Sequence, residues 1–154
     1  LDFGSFRDIQ RHRATTIRMP LHSTYYGMEP WYINELPEDI KGEARRLSES
    51  IDNKFGSPDN IRGNGRLSAQ YGIPMGYLGA CAVTGDLPAI VYLLELRSTT
   101  PVHPTLRAQA IEASRQLSGK FVRAGIELAL FPDMSDSKFD TTRGLHDIVE
   151  RKVA

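Results

Sequence analysis

The sequence predicts an α+β domain in which helices dominate. Several segments carry apolar residues at helical spacing, whereas two short runs of β-branched or small apolar residues suit strands. The 154 residues are 40% hydrophobic and 25% charged, which is typical of a soluble globular domain. We therefore expect one domain over residues 1–154, with a core of ordinary size.

The N-terminal third predicts a short helix, then an extended run, then irregular structure. Residues 3–13 carry spaced apolar side chains, and we expect this helix to end near the Arg-His-Arg triplet at 11–13. The β-branched run at 15–17 follows, and Pro20 interrupts it. Residues 21–34 are rich in aromatics and contain turn formers, so we expect irregular structure or a short strand there.

The clearest helix signal covers residues 37–55. Pro37 suits a first helical turn, and the acidic residues after it complement the helix dipole. Gly56 and Pro58 mark the end. One face of this helix is predicted to be apolar, with Ile40, Ala44, Leu47, Ile51 and Phe55.

The second half of the chain predicts further helices around one strand. Asp86 is a good N-cap for a helix to about Arg97 that is apolar nearly all round, so we expect that helix to be central. A long helix then follows His103, with Leu106, Ala110, Ala113, Leu117, Phe121 and Ala124 on one face. The other segments are a loop at 59–65, a helical stripe at 66–78 broken at Pro74, a strand at 80–85, a loop at 130–140 and a last helix at 142–152.

The charge balance and the cysteine count limit the classes of partner and compartment. Lys+Arg and Asp+Glu are both 19, so the net charge of +0 argues against a nucleic-acid binder and gives no reason to expect membrane attachment. Cys81 is the only cysteine, which favours a reducing, cytoplasmic compartment. Neither it nor His22 has a partner at metal-ligand spacing, so no metal site is expected. The first residue is Leu, so we expect a piece of a longer protein.

The triplet Arg11, His12 and Arg13 is the strongest candidate for binding chemistry. Guanidinium groups bind phosphate in a bidentate manner, and imidazole can hydrogen-bond or take a proton. Residues i and i+2 do not share a helix face, so the two arginines converge only if the helix ends there or if subunits or ligands meet there. The alternative is a solvated helix end with three charges.

Two blocks of the sequence resemble the flavin-dependent thymidylate synthases. "FRDIQRHRATT" resembles that family's signature, in which an arginine–histidine–arginine triplet precedes a serine. "YGIPMGYLGACAVTGDLPAIVYLLELRSTTPVHPTLRAQA" resembles its second conserved half, with Pro74, Arg97 and His103 at the landmarks in order. The resemblance covers about residues 5–120.

The resemblance implies a homotetramer with a small mixed sheet, FAD at subunit interfaces and dUMP beside it. The family reaction is the reductive methylation of dUMP to dTMP in nucleotide biosynthesis, with methylene-tetrahydrofolate as donor and NADPH as reductant. Such a flavoprotein acts as a methyltransferase. By position, the expected cofactor-binding residues are Arg11, His12, Arg13 and Thr16, and the expected substrate-binding residues are Arg7, Arg18, Ser23 and Tyr25. No catalytic residue is assigned.

Departures from the family pattern argue against unaided catalysis by this chain. The replaced positions include two phosphate-directed arginines, whose loss would weaken nucleotide binding on the order of a hundredfold. We therefore favour one domain of a larger, tandem protein, paired with a second related domain, over a truncated enzyme. The alternatives are a non-catalytic oligomerisation or nucleotide-sensing domain, in which the arginines pair with carboxylates such as Asp8, or another nucleotide-binding enzyme on the same scaffold. The departures lie at Asp8, Arg18, Leu21, Ser23, Thr24 and Pro88.

Overall fold

A computed structural model describes residues 1–56 and 65–136 of the chain. These ranges contain six helices and two strands, which confirms the predicted helix-rich α+β class. In chain order they are α1 (Phe3–Ile9), β1 (Thr15–Arg18), α2 (Pro30–Asn34), α3 (Glu38–Phe55), α4 (Gly65–Gly72), β2 (Ala82–Gly85), α5 (Leu87–Arg97) and α6 (Pro104–Arg123).

The strands β1 and β2 form a two-stranded antiparallel sheet. The register pairs Thr15 with Gly85, and a Cβ on Gly85 would lie 3.0 Å from the Thr15 Cγ2 methyl. Glycine therefore permits the close approach of the two strands at this end of the sheet. Both strands coincide with the predicted β-branched and small apolar runs.

The chain divides into two compact units, Leu1–Leu93 and Leu94–Ala154. The core of the first unit is a cluster of Ala69, Ile73 and Tyr77, and Tyr77 is 0% exposed. Ile51 and Phe55, near the C-terminus of α3, pack against this cluster. The predicted apolar stripe of α3 is therefore covered at its C-terminal end, where burial of apolar area stabilises the unit.

Backbone hydrogen bonds tie the start of the chain to the segment that follows α4. The Phe3 amide donates to the Tyr77 carbonyl at 3.1 Å, and the Gly4 amide donates to the Met75 carbonyl at 2.9 Å. Asp2 is buried and caps α1, because its Oδ1 accepts from the Ser5 amide at 2.9 Å and its Oδ2 accepts from the Ser5 hydroxyl at 2.8 Å. These contacts fix the helix that leads into the triplet.

In the second unit, Arg107 on α6 holds the coil that follows the helix. Its Nε donates to the Ser98 carbonyl at 2.7 Å, and its Nη2 donates to the Ser135 carbonyl at 2.6 Å. The Asp133 amide donates to the Ser98 hydroxyl oxygen at 2.8 Å. The described part of the predicted 130–140 loop is therefore a coil held by hydrogen bonds. Two further predictions lie outside the described residues: the last helix at 142–152, and the loop at 59–65 except for Gly65.

Three element predictions need correction. Residues 30–34 form the short helix α2, with Pro30 in its first turn, where a strand or irregular structure was expected. The helix α5 is not buried all round, because Tyr92 and Leu96 are exposed while its Leu93 and Leu94 are buried. The predicted apolar face of α6 is covered only in part, because its Ala113 is exposed.

Two polar residues of α6 take buried places that the apolar pattern did not predict. Ser114 is buried because its hydroxyl donates to the Ala110 carbonyl at 2.8 Å, which satisfies the polar group within the helix. Thr105 is also buried, and its hydroxyl oxygen lies 2.8 Å from Nδ1 of His103.

Within residues 1–56 and 65–136, no helix is both long and apolar enough to cross a membrane. The same residues contain no group of three His, Cys, Asp or Glu side chains placed to hold a metal ion.

Candidate functional site

The Arg-His-Arg triplet lies in the turn between α1 and β1. The helix ends at Ile9, and the His12 amide donates to the Ile9 carbonyl at 3.0 Å. Because the triplet is not helical, the rule that places i and i+2 on different helix faces does not separate its arginines. Arg11 and Arg13 are both exposed, and His12 between them is only 7% exposed.

His12 anchors this turn from the inside. Its carbonyl accepts hydrogen bonds from the Thr15 amide at 3.1 Å and from the Thr15 hydroxyl at 2.8 Å. Its ring meets Tyr92 edge-on, with the ring centroids 6.0 Å apart. The buried histidine thus fixes the backbone from which the flanking guanidinium groups project into solvent. Its predicted contact with a cofactor stays a prediction.

The arginines of this region are exposed and are not neutralised within the described part of the chain. Arg7, Arg11, Arg13 and Arg18 are all exposed, and no ion pair among residues 1–56 and 65–136 involves them. Uncompensated guanidinium groups on one short segment favour an anionic ligand.

The strand β1 places two of the predicted site residues on one face. Thr16 and Arg18 are exposed, whereas the alternating residues Thr15 and Ile17 are half-buried. Successive side chains of a strand point to opposite faces, so Thr16 and Arg18 share the open face. The predicted cofactor residue and the predicted substrate residue are thus brought together by strand geometry.

Ser23 and Tyr25 lie in the loop that follows β1. Ser23 is half-buried, and Tyr25 is 83% exposed with its ring perpendicular to that of Tyr26 at 4.8 Å. Gly27 closes the loop with φ +74, a conformation that glycine adopts without strain. In the described ranges, no hydrogen bond or ring contact joins Ser23 or Tyr25 to the triplet, so their substrate contact stays a prediction.

His22 is a buried residue of the same loop that the sequence did not single out for a role. Its ring stacks on Phe3 with centroids 4.6 Å apart, and Gln70 brackets its backbone by accepting from its amide at 2.7 Å and donating to its carbonyl at 2.8 Å. Burial lowers the pKa of His22, and a backbone hydrogen bond with Tyr77 opposes that shift. The neutral ring is therefore the form that the folded protein favours.

We expect the folded protein to become less stable as the pH decreases, because the pKa of His22 is lowered in the folded state. Since its pKa is lower in the folded than in the unfolded state, the unfolded state binds more protons below the usual value of 6.5. The contribution is present above that value and is lost as the pH falls towards the folded-state pKa. Denaturant unfolding between pH 7.5 and 5 should show a smaller loss of stability for His22→Gln than for the wild type. Equal pH dependence in the two proteins would contradict this assignment.

The fold is similar to that of a known class of enzyme. The crystal structure of a flavin dependent thymidylate synthase from Helicobacter pylori, complexed with FAD and dUMP, matches 78% of this chain and 65% of its own chain. The TM-score is 0.51 and the sequence identity is 17%. At that identity the likeness shows the fold, so the chain has a helix-rich fold that resembles the flavin-dependent thymidylate synthase fold. The landmarks Pro74, Arg97 and His103 lie just after α4, at the end of α5 and at the N-cap of α6.

The curated relatives are proteins of the UPF0159 group. One from Thermoplasma acidophilum is 31% identical over 123 residues, which cover 75% of this chain and 23% of that protein. One from Chlamydia pneumoniae is 28% identical over 116 residues and is covered to 21%. The chain therefore spans less than a quarter of the length of these relatives. No family model matches the chain.

Proposed function

We propose that this chain is a flavin- or nucleotide-binding domain on the flavin-dependent thymidylate synthase fold. The observation that carries the proposal is the turn at 11–13. Arg11 and Arg13 project into solvent on either side of buried His12, and neither forms an ion pair within the described residues. Two guanidinium groups held by one anchored turn are suited to a diphosphate or to two neighbouring phosphates.

FAD is the ligand that we place first, and dUMP the second. Both are bound by the Helicobacter pylori protein of similar fold. The exposed arginines of this chain fit the diphosphate of FAD, and Thr16 offers a hydroxyl on the adjoining strand. The deoxynucleotide would use the remaining predicted residues, which are Arg7, Arg18, Ser23 and Tyr25.

The fit to a uracil nucleotide is poorer than the fit to a phosphate. Leu21 is exposed and apolar where the family has a serine, and Pro88 provides no donor where the family has an arginine. Bound flavin would supply the redox chemistry of the family reaction, with NADPH as the reductant and methylene-tetrahydrofolate as the carbon donor. We propose that this chain binds ligand but does not complete that reaction alone.

The missing groups would come from other copies or from a related domain. We propose that the chain works as a homo-oligomer, a tetramer by the family's example, or beside a second related domain. The greater length of the UPF0159 relatives leaves room in them for such a domain. One domain over residues 1–154 within a tandem protein remains a prediction.

A second candidate function is a non-catalytic oligomerisation or nucleotide-sensing domain. The exposed apolar side chains of α3, Ile40 and Leu47, favour it, since the N-terminal part of its predicted apolar stripe is uncovered. In this case the fold is retained and the triplet does not bind flavin. A stability that does not respond to FAD or dUMP would favour the oligomerisation domain over both ligand-binding alternatives.

The test is whether FAD or dUMP stabilises the wild-type protein. A ligand that binds only the folded state at a hundred times its Kd adds about 2.7 kcal/mol to the free energy of unfolding. We expect thermal unfolding to shift upward with FAD and a yellow colour to remain after gel filtration. Riboflavin, which lacks the phosphates, should shift it less. No shift with either FAD or dUMP would overturn the proposed function.

A further inference from the structure

The strand β2 adds a polar residue to the open face of β1. The register of the antiparallel pair sets Thr84 directly opposite Thr16 and sets Ala82 opposite Arg18. Thr84, like Thr16 and Arg18, is exposed. Residues that are directly opposite in an antiparallel pair share a face, so Thr84 stands beside two predicted site residues.

The geometry of the pair brings two hydroxyl groups and one guanidinium within reach of a single anion. Directly opposite residues have Cβ atoms about 4.5–5.5 Å apart, so the Thr16 and Thr84 hydroxyls can both donate to one phosphate group. Arg18 lies two residues further along the same face, and its long side chain can reach back over that distance. The short side chain of Ala82 opposite Arg18 does not obstruct the guanidinium.

One acidic residue close to Thr84 in the sequence is held by a hydrogen bond at the start of α5. The next acidic residue along the chain is Asp86, and its Oδ1 accepts a hydrogen bond from the Ala89 amide at 2.9 Å at the start of α5. That carboxylate is therefore engaged in capping the helix. Thr84 itself belongs to neither the triplet nor the residues that the resemblance assigns.

We propose that Thr84 is a further ligand-binding residue, which donates its hydroxyl to a phosphate group held jointly with Thr16 and Arg18. This inference rests on the proposed function, because it requires a phosphorylated ligand at the exposed face of the β1–β2 sheet. The phosphate can come from a mononucleotide such as dUMP or from the diphosphate of FAD, and the two sources are distinguished by titrating both.

The experiment measures the affinity of Thr84→Val and Thr84→Ser for dUMP and FAD by calorimetric titration. Valine keeps the β-branched shape and the strand preference, so the sheet should remain intact, which circular dichroism and the melting temperature check. Loss of one hydrogen bond to a charged group should raise the Kd of Thr84→Val on the order of tenfold for the ligand whose phosphate it contacts. Thr84→Ser, which keeps the hydroxyl, should bind nearly as well as the wild type.

Ligands without phosphate and a hydroxyl-deleting variant on α3 supply the controls. Deoxyuridine and riboflavin should bind equally to the wild type and Thr84→Val, and Ser50→Ala, at an exposed position of α3, should leave all affinities unchanged. If Arg11→Ala and Arg13→Ala weaken binding but Thr84→Val does not, the Thr84 assignment is overturned while the proposed function stands. If the wild type binds neither FAD nor dUMP, the proposed function itself is overturned. An equal loss for dUMP and deoxyuridine would show that Thr84 does not act on the phosphate.

Discussion

Replacing Arg11 and Arg13 together by alanine is expected to weaken FAD binding by a factor on the order of a hundred or more. Each bidentate, charge-assisted contact to phosphate contributes about 1.5–3 kcal/mol, and every 1.4 kcal/mol corresponds to roughly a tenfold change in Kd. Both side chains are exposed and form no ion pair in the described ranges, so their removal breaks no such pair there. Quenching of flavin fluorescence in a titration measures the change directly.

The matched control removes two charges elsewhere on the same unit. Arg45 and Arg46 are neighbouring exposed residues of α3, and the variant Arg45→Ala with Arg46→Ala has the same net charge as the triplet variant. It should retain wild-type affinity, because these two arginines lie on α3 and not in the turn that is proposed to bind the ligand. The variant Arg11→Lys with Arg13→Lys should bind FAD more tightly than the alanine variant but more weakly than the wild type. Lysine keeps the positive charge but lacks the planar guanidinium group that makes bidentate contacts. Equal losses in the α3 and triplet variants would indicate a diffuse charge effect and contradict a site at the triplet.

Much of the fold could be predicted because its signals are local. The strand β1 and the helix α3 follow from β-branched residues, helical spacing and a favourable first turn. Asp86 caps α5 as predicted, with its side chain bonded to the Ala89 amide at 2.9 Å. These features depend on residues within a few positions of one another, and the sequence displays them directly.

The features that the sequence did not show depend on distant neighbours. An apolar pattern all round α5 cannot indicate which side is covered, and the structure leaves Tyr92 exposed while it buries Leu93. Ser114 can be buried because its hydroxyl forms a hydrogen bond within its own helix. A hydrophobic pattern assigns a serine to the polar face and therefore does not predict this burial. The helix α2 has too few residues to display a period.

The candidate site divides in the same way. The triplet stands out from composition, because arginine and histidine are concentrated in a chain of zero net charge. The burial of His12 between its two exposed neighbours is a property of the turn and not of the residue types. Thr84 was missed because antiparallel pairing, and not sequence proximity, sets it opposite Thr16. A lone threonine in a short strand carries no signal of that pairing.

Tyr77→Ala is expected to cost about 4 kcal/mol of unfolding free energy, the largest stability effect that we predict. Tyr77 is wholly buried among Ala69 and Ile73, and its hydroxyl donates to the Ser48 carbonyl at 3.0 Å. Burial raises the pKa of Tyr77, so the hydroxyl remains a donor at neutral pH. The substitution removes the ring from the cluster and leaves a cavity that the surrounding residues fill only in part. Urea unfolding followed by circular dichroism measures the loss.

Two further substitutions separate packing from hydrogen bonding at Tyr77. Tyr77→Phe keeps the ring and should cost about 1–2 kcal/mol, because the Ser48 carbonyl loses its donor. Tyr71→Ala removes the same side chain where it is 94% exposed and should change stability by less than about 0.5 kcal/mol. A loss at Tyr77→Ala no greater than at Tyr71→Ala would refute the cluster as the core of the first unit. Because the Phe3 amide bonds to the Tyr77 carbonyl, that core also supports α1, from which the arginine-bearing turn projects.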